Sequence, residues 1–420
     1  MNIVLQNQFE CRNGKYIVLI IWFYLRGGYK IMAKSIPALV TPDVLKWARE
    51  LDKITVEEIS SKIKVSSDKI LAWENGTEYP TFNQAKKLAK QYRVPFAYFY
   101  LPDKPQRVKR LDKIDYRTFG NIGSVEMSRE LRWFLRDIEE RRDTMINLYL
   151  ENEIDIVPFT QKTDINSTEQ DIAKAIRKLL DLTFEKQIHF RKPEQALSYC
   201  IAKLEEQNFL IFQATKINPS EMRGLSVAYE QFPIIALNRK DEVSARLFTL
   251  FHELIHILTR TSGICNEISQ DSDSQNKLEL FCNRVAGLAL VPESQLKSNA
   301  NISEIKKYGL DDMYVNAIAR DFAVSKEVII NRLWNIGVIN KNTYFSTLKR
   351  YSDEYMFYKK NKKQNGFIAP AIDKGTQVGK LYAKTVLSAY RSDKISPYEA
   401  SNYMLGLKIK HFSAVERWCY

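Results

Sequence analysis

The first hundred residues contain short segments in which apolar and polar residues alternate with the period of packed helices. Thr41-Pro42-Asp43 has the composition of a helix start, with Thr as N-cap and Pro in the first turn, and Thr55 begins a second helix in the same way. A third helix is predicted over 66–75, and Gly76 ends it. Two more short helices follow by residue 100. Five short helices with a tight turn between the second and third are typical of a helix-turn-helix domain.

Further along the chain, segments in which apolar residues recur with the helical period are interspersed with short runs of consecutive apolar residues, which are typical of buried strands. The predicted helices are 168–182, 193–205, 247–258 and 276–292, and the predicted strands are 209–212 and 232–237. Helices therefore dominate, and the strands are too few for a large sheet. We expect an α+β, mostly helical fold, in which an all-α helix-turn-helix domain precedes a domain with a small sheet and a helical C-terminal region.

Composition narrows the class of protein. A chain of 420 residues is longer than one hydrophobic core usually supports, so more than one domain is expected. Lys and Arg total 63 against 50 Asp and Glu, and the net charge of +13 favours a polyanionic partner, nucleic acid before membrane. The five cysteines are scattered without a CxxC pair, which indicates reduced thiols and a cytoplasmic protein. The longest apolar run, 16–25, is far too short to span a membrane, so no membrane partner is expected.

The predicted helix 247–258 is apolar apart from His252, Glu253 and His256. Residues four apart share one face of a helix, so both imidazoles can bind one metal ion while Glu253 lies one step round. A hydrogen-bonded pair of buried histidines is the alternative. However, three polar groups in so apolar a helix are costly unless something compensates them, and a metal ion does so economically. The motif predicts a Zn²⁺ site.

A catalytic zinc site needs a third protein ligand and an open coordination position. The predicted helix 276–292 supplies Glu279 as that ligand, and Glu253 is the predicted catalytic base. Other acidic or sulfur-bearing residues nearby are the alternatives: Glu267, Asp271, Asp273, Cys265 and Cys282. For the two cysteines, an ordinary place in the core is the preferred interpretation.

Four separated sequence blocks surround this motif. They are Gly224-Leu-Ser, Pro233-Ile-Ile-Ala-Leu-Asn238, the segment from Ala245 to His256, and Glu279-x-x-Cys-Asn-Arg-Val-Ala286 with Leu290-Val-Pro292. Together they resemble the ImmA/IrrE metallopeptidases over residues 166–300. Cys282 stands where many relatives have Ala, and Val285 where many have Phe, which leaves the ligands untouched. The resemblance implies a zinc metallo-endopeptidase, and the edge of its small sheet can hold an extended peptide beside the metal.

The first domain carries three motifs of its own. They are Val65-Ser66, Trp73-Glu74-Asn75-Gly76 and Pro80-Thr81. At these spacings they resemble the helix-turn-helix domains of the XRE class, which includes phage repressors. The resemblance implies that helix 66–75 enters the major groove of duplex DNA, while Ile70, Leu71 and Trp73 face the core. The outward positions are the candidates for DNA contact: Ser67, Asp68, Lys69, Ala72, Asn75 and Thr77. One copy would bind DNA modestly, so a homodimer is expected for specific binding.

An alternative for this module is a role in protein contacts. Asp68, Glu74 and Glu78 favour it, because carboxylates repel phosphate. A basic segment behind the module favours double-stranded DNA, although it can equally be a solvated linker. That segment contains Lys104, Arg107, Lys109, Arg110 and Lys113.

These patterns divide the chain into five regions. They are an extension over 1–36, expected to be poorly ordered, the helix-turn-helix domain over 37–105, a helical linker over 106–165, the metallopeptidase domain over 166–300 and a helical region over 301–420. Residues 317–334 repeat the helix-turn-helix rhythm, and a structural or substrate-docking role is favoured there over a second DNA contact. Residues 382–405 are predicted to form two short helices, split at 395–397.

Two functions fit this organisation. In the first, the chain is a peptidase that cleaves a protein, such as a repressor or antitoxin, and its helix-turn-helix module brings it to DNA or to that target. In the second, it is an XRE-type transcriptional regulator or antitoxin whose zinc site is structural or sensory. A structural zinc site needs no general base and is usually closed by a fourth protein ligand. Glu253 therefore favours the peptidase.

Overall fold

A computed structural model describes residues 37–105, 128–164, 167–190, 192–260, 272–361 and 368–420. The predicted extension over 1–36 and the first part of the predicted linker, up to residue 127, lie outside these residues, as does most of the basic segment behind the first domain. The chain divides into two compact units near residue 108. Within the described ranges, no helix is both long and apolar enough to cross a membrane.

The first unit is all-α. Its helices are α1 (Pro42–Leu51), α2 (Val56–Ile63), α3 (Ser67–Glu74), α4 (Phe82–Tyr92) and a 3-10 helix at Phe96–Tyr100. The predicted start of α2 is confirmed, because the Thr55 hydroxyl accepts the backbone N–H of Glu58 and the Glu58 carboxylate accepts that of Thr55. Thr41 also stands at an N-cap, but its hydroxyl donates to the carbonyl of Leu101 instead (2.7 Å). Lys64 adopts the left-handed conformation (φ 57°) that makes the tight turn before α3.

The second unit combines helices with three strands. Its helices are α5 (Arg129–Glu151), α6 (Glu169–Leu179), α7 (Phe184–Gln187), α8 (Pro193–Glu205), α9 (Val243–Thr259), α10 (Ser272–Leu290), α11 (Glu293–Lys297), α12 (Ala300–Tyr308), α13 (Asp312–Phe322), α14 (Lys326–Asn335), α15 (Lys341–Asn361), α16 (Pro370–Val378), α17 (Lys380–Arg391), α18 (Pro397–Tyr403), a 3-10 helix at Ile409–His411, and α19 (Phe412–Cys419). Its strands are β1 (Leu210–Ala214), β2 (Gly224–Val227) and β3 (Ile234–Asn238). The predicted α+β, mostly helical fold is confirmed.

The sheet has the order β1-β3-β2, with β1 parallel and β2 antiparallel to the central β3. The predicted strands 209–212 and 232–237 correspond to β1 and β3, displaced by one or two residues. The residue pattern does not predict β2, because four residues with a serine among them give too short a signal. As an outer strand, β2 leaves one edge without a strand partner among the described residues.

Alternate residues of the strands enter two different cores. Ile211, Ile235 and Leu237 pack with α6, α8, α9, α10 and the helices up to α15. Phe212 and Ile234 point the other way and pack with α5 and with α16 to α19. The sheet is therefore covered on both faces, which explains why β1 and β3 are buried throughout. The C-terminal helices α16 to α19, together with α5, cover the second face of the sheet.

Glu205, at the end of α8, fixes these C-terminal helices to the sheet. Its carboxylate is buried and accepts the backbone N–H groups of Lys380 (2.7 Å) and Leu381 (3.1 Å), at the start of α17. The preceding Gly379 has a φ of 82°, and a Cβ there would approach the carbonyl oxygen of Ile211 in β1 to 2.5 Å. Only glycine fits this junction.

The C-terminal end of α10 is held by three side chains from other helices. Arg177 donates to the carbonyl of Ala289 (2.8 Å), Gln187 to that of Leu290 (2.8 Å), and Arg332 to that of Val291 (3.1 Å). Carbonyls at a helix end have no partner within the helix and must find one elsewhere when buried. The fixed end of α10 matters because this helix carries Glu279.

We expect Gln187→Leu to destabilise the second unit. Gln187 is 2 % exposed, donates to the carbonyls of Leu290 and Phe322, and accepts from Arg177. The leucine would leave these buried groups without partners, at a cost of about 3 kcal/mol. Thermal and urea unfolding of purified variants measure it. Gln207→Leu, at an exposed position, is the matched control, and equal stability of the two variants would contradict the role given to Gln187.

Candidate metal centre and nucleic-acid interface

Two helices bring the predicted metal ligands together. His252 and His256 lie one turn apart on α9, and Glu279 lies on α10, which packs against it. The Nε2 atoms of the two imidazoles are 3.1 Å apart, and the Glu279 carboxylate lies 3.1 Å from the first and 3.5 Å from the second. Among the described residues, these three form a group whose ligand atoms all lie within 4.8 Å of one another. The structure thus places all three predicted ligands around one point.

The spacing of the two Nε2 atoms and the two carboxylate oxygens of Glu279 fits a zinc ion. Ligand bonds of about 2.0–2.1 Å in tetrahedral geometry separate the ligand atoms by about 3.3 Å. The three observed separations lie on both sides of that value. Two neutral imidazoles and one carboxylate are also a ligand set that zinc prefers. The two helices thus hold the three side chains at separations that suit a bound cation.

The charges around this point favour a cation as well. Burial lowers the pKa of His252, but the hydrogen bond to Glu279 and the charge of Glu253 outweigh burial and raise that pKa overall. For His256, burial dominates and its pKa is lowered. Burial raises the pKa of Glu279, yet the hydrogen bond to His252 and the nearby imidazoles lower it overall. A proton and a metal ion therefore compete for the same three groups.

Asn283 orients the first imidazole, a role that the sequence analysis did not assign. Its side-chain oxygen lies 3.0 Å from Nδ1 of His252, so Nδ1–H donates to it and Nε2 keeps its lone pair for a metal. Asn283 follows Glu279 by four residues, so both side chains lie on the same face of α10. That spacing is the sequence signal from which the partner could have been found.

The predicted base, Glu253, lies against strand β2. The Ser226 hydroxyl donates to its Oε2 atom at 2.7 Å, in a buried position. A Cβ on Gly224 would come within 2.3 Å of Thr249 and 2.9 Å of the Glu253 Oε1 atom, so this strand can approach α9 closely only because residue 224 is glycine. Gly224-Leu-Ser, recognised in the sequence only as a family block, thus contacts the predicted base.

The alternative ligands have different outcomes. Cys282 is fully buried, and its sulfur lies 4.0 Å from Nδ1 of His256, on the opposite side of the ring from the Nε2 atom that faces Glu279. The structure does not bring it into the ligand group. Cys265, Glu267 and Asp271 lie outside the described residues, as does the side chain of Asp273.

In the first unit, a buried ion pair involves Glu74 of α3, one of the residues that were expected to repel DNA. Arg49 in α1 donates to both oxygens of Glu74 at 2.7 and 2.9 Å, and the Glu74 side chain is 2 % exposed. Arg49 also donates to the carbonyl of Ile54. The expectation that Glu74 repels phosphate is therefore wrong, because its charge is buried and paired. The other two acidic residues that favour a role in protein contacts, Asp68 and Glu78, are exposed.

The structure places most of the DNA-contact candidates on the outer face of α3. Asp68, Lys69 and Asn75 are exposed, and Ser67 and Ala72 are partly so. Beyond the helix, Thr77 is exposed, and its hydroxyl donates to the carbonyl of Ala72 (3.1 Å).

One prediction for this helix is wrong. Leu71 was expected in the core beside Ile70 and Trp73, which are indeed buried, but its side chain is 44 % exposed. The buried face of the eight-residue helix consists of Ile70, Trp73 and Glu74 at helical spacing. Leu71 lies outside this buried face and projects outward.

Helices α13 and α14 repeat the turn of the first unit. Ala323 adopts the left-handed conformation (φ 54°), as Lys64 does, and Ser325 caps the helix that follows. Ile330, at the position equivalent to Leu71, is fully buried in its own unit. This burial supports the predicted structural role of the segment over a second DNA contact.

The family comparisons match these two units. The family model of peptidase M78, described as an IrrE N-terminal-like domain, matches residues 211–334, which include the metal-ligand group and the α13–α14 pair. A helix-turn-helix domain model matches residues 44–101. No curated protein matches the chain. Part of the second unit is therefore similar to the metallopeptidase-like domain of peptidase M78, and the first unit is similar to a helix-turn-helix domain.

Proposed function

We propose that the second unit is a zinc-dependent endopeptidase that cleaves a protein substrate, and that the first unit binds double-stranded DNA. The observation that supports the peptidase most directly is the convergence of His252, His256 and Glu279 on one point, with the Glu253 carboxylate next to them on α9. The proposed substrate is a repressor or antitoxin. Cleavage of such a protein would couple the enzyme to transcription.

Each residue has a definite task in this reaction. His252, His256 and Glu279 would hold zinc, which as a Lewis acid polarises the peptide carbonyl and stabilises the charge that develops on its oxygen. Glu253 takes the proton of the attacking water and returns it to the leaving amine. Ser226 occupies one carboxylate oxygen of Glu253, so the other oxygen is the one that accepts the proton.

Strand β2 supports an extended peptide as the substrate. It is an outer strand of the sheet and packs beside α9 through Gly224. An outer strand can pair its free backbone groups with a peptide, and this places the peptide along the edge nearest to Glu253.

The rival function is that of an XRE-type regulator whose metal site is structural or sensory. The position of Glu253 argues against it, because a buried carboxylate beside the ligand group is costly and a structural site has no use for it.

We expect about one zinc per chain, lost in His252→Ala and in His256→Ala, since two remaining ligands cannot hold the ion. Elemental analysis of the purified variants measures it. The other two of the four histidines give matched controls, because His189→Ala and His411→Ala should keep the metal. Unchanged zinc in His252→Ala would exclude the proposed site.

Glu253→Gln separates the two functions. Amide replaces carboxylate at nearly equal volume, so zinc should stay bound while cleavage falls by about a hundredfold to ten-thousandfold. Co-expression with neighbouring repressor or antitoxin candidates, followed by blotting for a truncated product, is the assay. The exposed Glu206→Gln is the control and should cleave normally. A product that persists with Glu253→Gln comes from another protease, and a promoter that responds although no candidate is ever cut supports the regulator.

We expect the protein to bind duplex DNA from its own locus as a dimer, with an affinity that falls steeply with salt. Lys69→Ala should make the slope of log K against log salt concentration less steep by about one for each copy of the first unit bound to the duplex, because each copy loses one phosphate contact. Fluorescence titration at several salt concentrations measures the slope. Lys306→Ala, an exposed lysine of the second unit, should leave it unchanged. Affinity equal to that for random duplex, and insensitive to Lys69→Ala, would favour the protein-contact role.

A further inference from the structure

Leu71 lies on the exposed surface of α3. The helix buries Ile70, Trp73 and Glu74, and among its outward residues Leu71 is the one large apolar side chain, with 44 % of its surface exposed. A leucine in water gains nothing for stability, whereas a leucine against another apolar surface does. Burial of this side chain against a partner would therefore stabilise a complex.

The neighbours of Leu71 make a small apolar area within a polar face. Ala72 follows it and is partly exposed, while Asp68 and Asn75 lie one turn before and after it. The ion pair with Arg49 compensates the charge of Glu74, so the exposed Asp68 is the carboxylate of α3 that remains near Leu71. A leucine and an alanine offer no hydrogen-bonding groups in their side chains, so they can only read apolar features of a partner.

We propose that Leu71, together with Ala72, reads the methyl group of thymine in the major groove, so that the preferred site has an A·T pair at this position. The inference rests on the proposed DNA binding of the first unit. In the major groove, the C5-methyl of thymine is the apolar group that distinguishes one base pair from another. Packing against the Leu71 side chain buries that methyl, while cytosine carries only a hydrogen at C5 and an amino group on the neighbouring C4, which the leucine cannot bind.

A protein surface could also bury Leu71, through a partner or a second copy of this chain. DNA is favoured because Leu71 is exposed between Asp68 and Asn75 on the outer face of α3, and a helix-turn-helix domain of the kind matched here inserts this helix into the major groove. In addition, the equivalent Ile330 in the second unit, which packs against protein, is fully buried, whereas Leu71 is left open within its own unit.

The test removes single methyl groups from the DNA. Duplexes are first selected from a random pool with the full-length wild-type protein, and each thymidine of the selected site is then replaced by deoxyuridine, which lacks only the C5-methyl. We expect at least one replacement in each half-site to weaken wild-type binding about fourfold, equivalent to about 0.8 kcal/mol for one buried carbon. Leu71→Ala should lose less affinity than wild type when the original duplex is exchanged for the replaced one, because the Leu71 contact with the methyl is already absent. This double-mutant comparison isolates the contact between the side chain and the methyl.

Leu39→Ala is the matched control, because Leu39 is 68 % exposed in the same unit but lies outside α3. It should keep the wild-type sensitivity to deoxyuridine. The inference is overturned if wild type and Leu71→Ala lose the same affinity, or if no replacement matters. It is also overturned if Leu71→Ala instead weakens self-association in sedimentation and leaves methyl discrimination intact. Failure of the wild type to select any duplex would reject the proposed DNA binding itself, whereas selection without methyl dependence rejects only this role of Leu71.

Discussion

Helix α9 must place three ionisable groups inside a hydrophobic core. Its leucines, isoleucines and Phe251 are buried between the sheet and α10, so His252, Glu253 and His256 have little water to solvate them. Each such group costs several kcal/mol unless the protein supplies a partner. The surrounding elements meet this need in two directions. On the side of α10, Glu279 lies beside both imidazoles, and the Asn283 amide contacts Nδ1 of His252. On the side of β2, the Ser226 hydroxyl donates to the Glu253 carboxylate.

The need to provide partners for these three groups also explains why α10 and β2 are held in fixed positions beside α9. A carboxylate on α10 can meet both imidazoles only if the position of that helix is fixed along its axis. Arg177, Gln187 and Arg332 achieve this by binding three successive carbonyls at its C-terminal end. On the other side, Gly224 lets β2 approach α9 within the reach of a serine, and the sheet is held rigid because helices cover both of its faces.

Sequence predicts best what lies within one helix. The ligands on α9 follow from a spacing of four residues, and Glu279 from the apolar pattern of α10, because both depend only on helical geometry. Ser226 and Asn283 were not assigned roles, since their partners lie on other elements. Leu71 was assigned to the core because periodicity does not reveal that a paired carboxylate, Glu74, takes a core position. The short strand β2 and the packing of the C-terminal helices on the sheet likewise depend on contacts distant in sequence.

The two units have separate cores, and this shapes how their functions combine. The core cluster of the first unit runs from Ala38 to Phe99, and the buried ion pair between Arg49 and Glu74 joins α1 to α3 within it. The three residues of the ligand group lie on α9 and α10 of the second unit. Substitutions without shared partners have additive effects on free energy. We therefore expect changes on the outer face of α3 and at Glu253 to act independently on the proposed DNA binding and the proposed cleavage, and any departure from additivity would measure a coupling between the two units.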